Sequence, residues 1–202
     1  MRMFLASYRF GAHQDVLLEL VGSARRVAVI ANAADAWPPA ARSSAVTSDA
    51  VPLQQLGFAV DEIDLRSDPA ERLADYPVVW VRGGNTFVLR AQLARSGGDV
   101  VLRSLIESDA IAYAGYSAGA CVMAPSLHGL ELADDPAEVL PTCGIEPIWA
   151  GVDLVDRAIV PHVGSDDDCD RVAAEYRRDG IAHWALTDDQ VVVVDGPRVS
   201  LL

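Results

Sequence analysis

No cluster of lysine or arginine occurs in this chain of 202 residues, and 29 acids against 16 bases leave a formal net charge of -13. A surface of that sign repels phosphate backbones and anionic lipid headgroups, so the chain is expected to bind neither nucleic acid nor membrane. No apolar run approaches the roughly 20 residues that a membrane helix requires. The segment MRMFLASYRFGAHQD turns polar after a few residues, too soon for a secretory signal. Cysteine is scarce: Cys121, Cys143 and Cys169 are widely spaced and lack CxxC spacing. That pattern excludes a disulfide framework and a zinc site and suits reduced thiols in the cytoplasm. Internal repeats, low-complexity tracts and linkers are absent as well. What is present is 51% hydrophobic, enough for one domain over residues 1–202 with a substantial core.

Apolar, β-branched runs alternate with segments of helical period. MFLAS, RRVAVIAN, AVDEIDL, YPVVWV, AIAYAGY, RAIVPH, AHWAL and QVVVVDG read as strands. QDVLLELVG, SDAVPLQQLG, NTFVLRAQLARSG, DVVLRSLIESD, SAGACVMA and DDCDRVAAEYRRDG read as helices. Such alternation predicts a three-layer α/β fold, a mostly parallel sheet with helices on both faces. The longest loop-like stretches are ANAADAWPPAARSS and APSLHGLELADDPAEVLPTCGIEPIWAG, and long loops in a compact domain tend to carry function.

Gly115-Tyr116-Ser117-Ala118-Gly119 fits G-x-S-x-G between a predicted strand and a predicted helix. Small residues there serve a tight turn, either for helix–strand packing alone or to project Ser117 as a nucleophile. The helix N-terminus would direct free N–H groups at a developing oxyanion. A second loop, Gly83-Gly84-Asn85, also lies between strand and helix. It lacks the third glycine of G-x-G-x-x-G and the lysine of a P-loop, so nucleotide binding is not indicated. A glycine pair there can supply the second N–H donor that a serine hydrolase needs. Of four histidines, His162 ends RAIVPH at a strand's carboxyl end and is favoured as base over His128, on the assumption that strand ends of one sheet converge on one crevice. His13 reads as surface and His183 as structural. Asp188 and Asp189 would give the order Ser, His, Asp, whereas Asp134, Asp135, Asp153 or Asp156 would give Ser, Asp, His. SDDDCD is not a calcium loop, because Arg171 and Arg177 stand where the turn glycine and closing glutamate belong. No metal ligand set and no cofactor motif is present.

GGNTF, AGYSAGA, IVPH and ALTDDQVVVVDG, in this order and spacing, resemble the S51 peptidases, which comprise dipeptidase E and the cyanophycinases. That resemblance implies a fold similar to class I glutamine amidotransferases and a serine peptidase acting on small peptides, dipeptides with N-terminal Asp above all. It implies Ser117 as nucleophile, His162 as base, Asp188 as acid and the Gly84 and Ala118 N–H groups as the oxyanion hole. A substrate carboxylate calls for arginine. Arg82 and Arg171 are therefore the substrate-binding candidates beside Asn85, with Arg9 also considered; in dipeptidase E the position of Arg82 is glycine. A homodimer is the expected assembly. Two other readings stand beside this one: a different serine esterase or amidase, and a non-catalytic amidotransferase-like binding domain. Glutamine amidotransfer itself is excluded because it needs cysteine at the elbow, and Cys121 lies a helical turn beyond.

Overall fold

A computed structural model describes all residues, 1–202. Its strands are β1 (Arg2–Ala6), β2 (Arg26–Ile30), β3 (Ala59–Glu62), β4 (Val78–Val81), β5 (Ala112–Tyr116), β6 (Ala158–Val160), β7 (His183–Ala185), β8 (Val191–Asp195) and β9 (Arg198–Leu201). Seven of them form one sheet in the order β3-β2-β4-β5-β1-β8-β9. The five strands from β3 to β1 run parallel, and β8 and β9 complete the sheet antiparallel.

Side chains alternate along each strand, so each face of the sheet buries its own set. Met3, Leu5, Ala28, Ile30, Val79, Val81 and Tyr113 enter one core; Phe4, Ala6, Val27, Val29, Val78, Trp80 and Tyr116 enter the other. The first core is covered by α3 (Thr86–Ser96), α4 (Gly98–Glu107), α5 (Ala118–Cys121), α6 (Val139–Cys143) and α7 (Asp167–Asp179). The second is covered by α1 (Gln14–Val21) and α2 (Pro39–Gln55) through Leu17, Val21 and Leu53. This is the three-layer α/β architecture expected from the alternation. None of the helices is long and apolar enough to cross a membrane.

Three expectations need correction. The strands RAIVPH and AHWAL do not join the main sheet; β6 and β7 pair parallel with each other in a separate two-stranded sheet. Apolar alternation marks a strand but not its partner, which is a long-range choice. The stretch ANAADAWPPAARSS is not a loop throughout: it holds a 3₁₀ turn at Asn32–Ala34 and the first turn of α2. Pro39 opens that helix, where proline's missing N–H would have had no partner anyway. The elbow helix is shorter than SAGACVMA. The carbonyls of Val122, Met123 and Ala124 accept from the backbone of residues 152–154 and so leave the helical ladder. Gly151 permits this pairing, because a Cβ there would lie 1.8 Å from the Ala124 carbonyl oxygen.

Candidate active site

The G-x-S-x-G glycines are dictated by close backbone approach. A Cβ on Gly115 would stand 2.5 Å from the Gly119 carbonyl oxygen, and one on Gly119 would stand 2.2 Å from that of Val81. Helix α5 is thereby drawn against β4 and β5, and Ser117 occupies the corner with φ 50° and ψ -118°. A non-glycine residue held there stores strain of about 1–3 kcal/mol and persists only where its surroundings fix it. Here the Ser117 N–H is held between the carbonyls of Ala6 and Ser7 at the end of β1.

His162 follows β6 after Pro161 and also has a positive φ, 58°. Its Nε2 lies 3.1 Å from Ser117 Oγ and its Nδ1 lies 2.7 Å from Asp188 Oδ1. With Asp188 ionised, Nδ1 must carry the proton it shares with the carboxylate, which leaves Nε2 as an acceptor facing the serine. Asp188, just beyond β7, also accepts from Ser7 Oγ at 3.2 Å and from Ser165 Oγ at 2.8 Å. Burial pushes this carboxyl up, but the hydrogen bonds from His162, Ser165 and Ser7 outweigh it and hold the group below its ordinary value.

Ser7 was missed in the sequence. It is fully buried, donates to Asp188, and its Oγ accepts the His162 N–H at 2.7 Å, so one hydroxyl fixes both groups. The only signal was a small polar residue closing an apolar strand, on the same sheet edge as the elbow. Ser165 gave no signal at all.

The rival residues take no part in the Ser117–His162–Asp188 line. His128 is stacked on Trp149 at 4.7 Å, His183 Nδ1 meets the Ile181 carbonyl, and His13 precedes α1. The Asp135 carboxylate caps the turn at Ala137, and Asp156 pairs with Arg157. Asp153 and Asp189 are exposed. Asp134 is at the site but accepts the Thr86 N–H instead of facing a histidine nitrogen. Burial, with Glu138 nearby, raises its pKa despite that bond.

A cleft of about 550 Å³ opens over Ser117 and His162, within the range of small-ligand sites. The N–H groups of Gly84 and Ala118 have no acceptor within the protein. Gly84 reaches its position only as glycine: its φ is 144°, and a Cβ would meet the Ala33 carbonyl oxygen at 2.5 Å. Asn85 lines the cleft, but its side chain is fully engaged. It caps α3 at Phe87 and Val88 and donates to the Asp135 carbonyl and to Glu138, which leaves no group for substrate. Arg171 is also displaced from the expected role, since it is exposed on α7, pairs with Asp168 and does not line the cleft. Arg82 and Arg9 do line it. Cys121 borders the cleft with its thiol pushed up by burial, and Cys169 is pushed up to about 12 by burial with Asp166 and Asp134. Neither thiol is a nucleophile at neutral pH. No group of acids, histidines and cysteines is arranged to hold a metal ion.

A serine on a strained strand–helix corner, within hydrogen-bond reach of a carboxylate-bound imidazole, is an arrangement that serine hydrolases use. The comparisons narrow it: residues 7–202 match the model of peptidase family S51, and the chain belongs to that family of serine peptidases. An uncharacterised peptidase of Listeria innocua is 26% identical over 159 residues, 74% of this chain and 73% of its own. A Drosophila melanogaster protein assigned as an alpha-aspartyl dipeptidase is 34% identical over 159 residues, 74% of this chain and 63% of its own. The fold matches that of a Listeria monocytogenes protein assigned as a peptidase E, with TM-score 0.83 and 22% identity over 100% of this chain and 97% of that one.

Proposed function

We propose that the chain hydrolyses short peptides through an acyl-enzyme on Ser117, with His162 as general base and acid and Asp188 as the group that orients it. The observation that carries this reading is the continuous line from Ser117 Oγ to His162 Nε2, 3.1 Å, and from His162 Nδ1 to Asp188 Oδ1, 2.7 Å. His162 takes the Oγ proton as Oγ bonds to the peptide carbonyl carbon. The oxyanion so formed accepts from the free N–H groups of Gly84 and Ala118. The imidazolium then protonates the amine as the C–N bond breaks. Water attacks the ester with His162 again accepting a proton, and Ser117 leaves as its hydroxyl. A cleft of this size admits a few residues, not a folded chain. Dipeptides beginning with aspartate are the first substrates to assay, because the Drosophila relative carries that assignment. Three free, buried thiols suit a reducing cytoplasm.

Ser117→Ala should fold normally and lose about three or more orders of magnitude in kcat on any dipeptide the wild type cleaves. Activity retained within a few-fold, measured on a dipeptide library with both proteins in parallel, would leave the elbow as architecture.

A further inference from the structure

Helix α2 lies on the sheet face opposite α5 and buries one carboxylate there, Asp49, which is 2% exposed. Its two oxygens are taken by residues at the ends of neighbouring strands. Oδ2 accepts from Arg82 Nε at 2.8 Å, and Oδ1 accepts from the Tyr116 hydroxyl at 3.0 Å. Arg82 Nη2 donates to that hydroxyl at 3.3 Å and closes a triangle of three side chains. Asp49 and Arg82 form no other ion pair. Burial first, and then the Asp49 charge, push the Tyr116 phenol up, so it stays protonated and donates at neutral pH. Asp49 does not line the cleft.

Arg82 follows β4 and directly precedes Gly83-Gly84, and Tyr116 ends β5 and directly precedes Ser117. One carboxylate therefore holds both the residue before the oxyanion loop and the residue before the proposed nucleophile. The β4–β5 ladder pairs only as far as Val81 and Gly115, so the triangle continues the pairing one residue beyond the point where the backbone stops. The two loops also meet without slack: a Cβ on Gly83 would lie 2.8 Å from Ser117 Cβ and 3.0 Å from the Tyr116 ring. A buried ion pair contributes little net stability compared with apolar side chains of the same volume, but its hydrogen bonds are directional and fix a separation. Separation matters here, since a misplacement of about 1 Å costs about 10² in rate. We propose that Asp49 is a positioning residue: from behind the sheet it sets the distance between the Gly84 N–H and Ser117 Oγ, and it touches no substrate. This rests on the serine-peptidase reading of Ser117 and adds to it the group that holds the oxyanion loop against the elbow.

The test is a double-mutant cycle of Asp49→Asn with Gly84→Ala. It is read by kcat and KM on the dipeptide that wild type cleaves fastest, and by the rate at which an alkyl fluorophosphonate labels Ser117. Asp49→Asn should lower kcat and the labelling rate by about ten-fold or more, with KM within about two-fold of wild type. In the Gly84→Ala background the same substitution should cost less than about three-fold, because the donor it positions is already displaced. Equal losses in both backgrounds, or rates in Asp49→Asn within about two-fold of wild type, would overturn the positioning role. Asp49→Asn leaves the Arg82 charge buried without a counter-ion, so Tyr116→Phe is carried through the same cycle. Tyr116→Phe keeps the ion pair and removes one side of the triangle; it should lose rate in the wild-type background and little in Gly84→Ala. If Asp49→Asn does not fold, this second cycle decides by the same criteria. A wild type that is labelled at Ser117 but cleaves no dipeptide would overturn the peptidase reading, and the labelling rates would still decide the role of Asp49. A wild type that is neither labelled nor active would overturn both.

Discussion

Three hydrogen bonds converge on the Asp188 carboxylate, from His162, Ser7 and Ser165, and they decide its titration. Its folded-state pKa is depressed, because those bonds outweigh burial. A depressed carboxylate contributes stability that is complete above its unfolded value, roughly 3.9, and that is lost as pH falls through the lower folded value. Wild type should therefore exceed Asp188→Asn in stability by a constant amount above about pH 5, and the gap should narrow as pH falls below the ordinary carboxylate range. A gap that widens in acid, in urea midpoints measured across that range, would mean the carboxylate is not held ionised. The same substitution should cost up to roughly 10⁴ in kcat, because the imidazole loses its orienting partner. Asp189→Asn should cost almost nothing, and neither should Asp135→Asn, since asparagine caps the turn at Ala137 as well as aspartate does. A large loss at Asp135 with Asp188 silent would overturn both the acid and the order of the proposed triad.

At the scale of elements, glycines set how closely α5 and the Gly83-Gly84 loop approach their neighbours. Gly119→Ala would place a Cβ 2.2 Å from the Val81 carbonyl oxygen, a backbone atom that cannot move alone. The helix must lift from β4, with an expected cost of about 1–3 kcal/mol in stability together with activity. Gly84→Ala should separate the two effects. Its neighbours at Ala33 belong to a short 3₁₀ turn and not to a strand, but the backbone at φ 144° must rotate and carry the proposed oxyanion donor with it. The expected loss is about 10²–10³ in kcat, with a smaller fall in melting temperature than Gly119→Ala produces. Wild-type kcat in Gly84→Ala would place the second donor elsewhere.

Across the whole molecule, the proposed machinery is divided between two sheets. Ser117 and Gly84 hang from β5 and β4 of the seven-stranded sheet, whereas His162 and Asp188 follow strands of a three-residue pair. Two short strands that pair only with each other are marginal by themselves. Burial of Ile159 and Val160 in the main core holds them in place. Such a module is a natural unit of sub-global opening. In urea, activity should therefore fall at a lower concentration than the far-UV circular dichroism of the central sheet and helices. Coincident transitions would show that the pair unfolds only with the whole.

The sequence by itself determined the features that local chemistry controls. β-branched runs and helical periods marked nearly every element, and G-x-S-x-G placed a serine on a strand–helix corner because only glycine survives the backbone contacts on either side. His162 and Asp188 were legible as polar residues ending apolar strands, although the reason given for their meeting, a shared sheet, does not hold. Tertiary structure alone decided the long-range choices. It paired β6 with β7 and not with the main sheet, and it took the carbonyls that would have lengthened α5. It brought Ser7 across 155 residues to His162, turned Arg171 to solvent, and left Arg9 and Arg82 in the cleft. Residue type states what a side chain can bond, but which partner it meets depends on the packing of segments far apart in the chain.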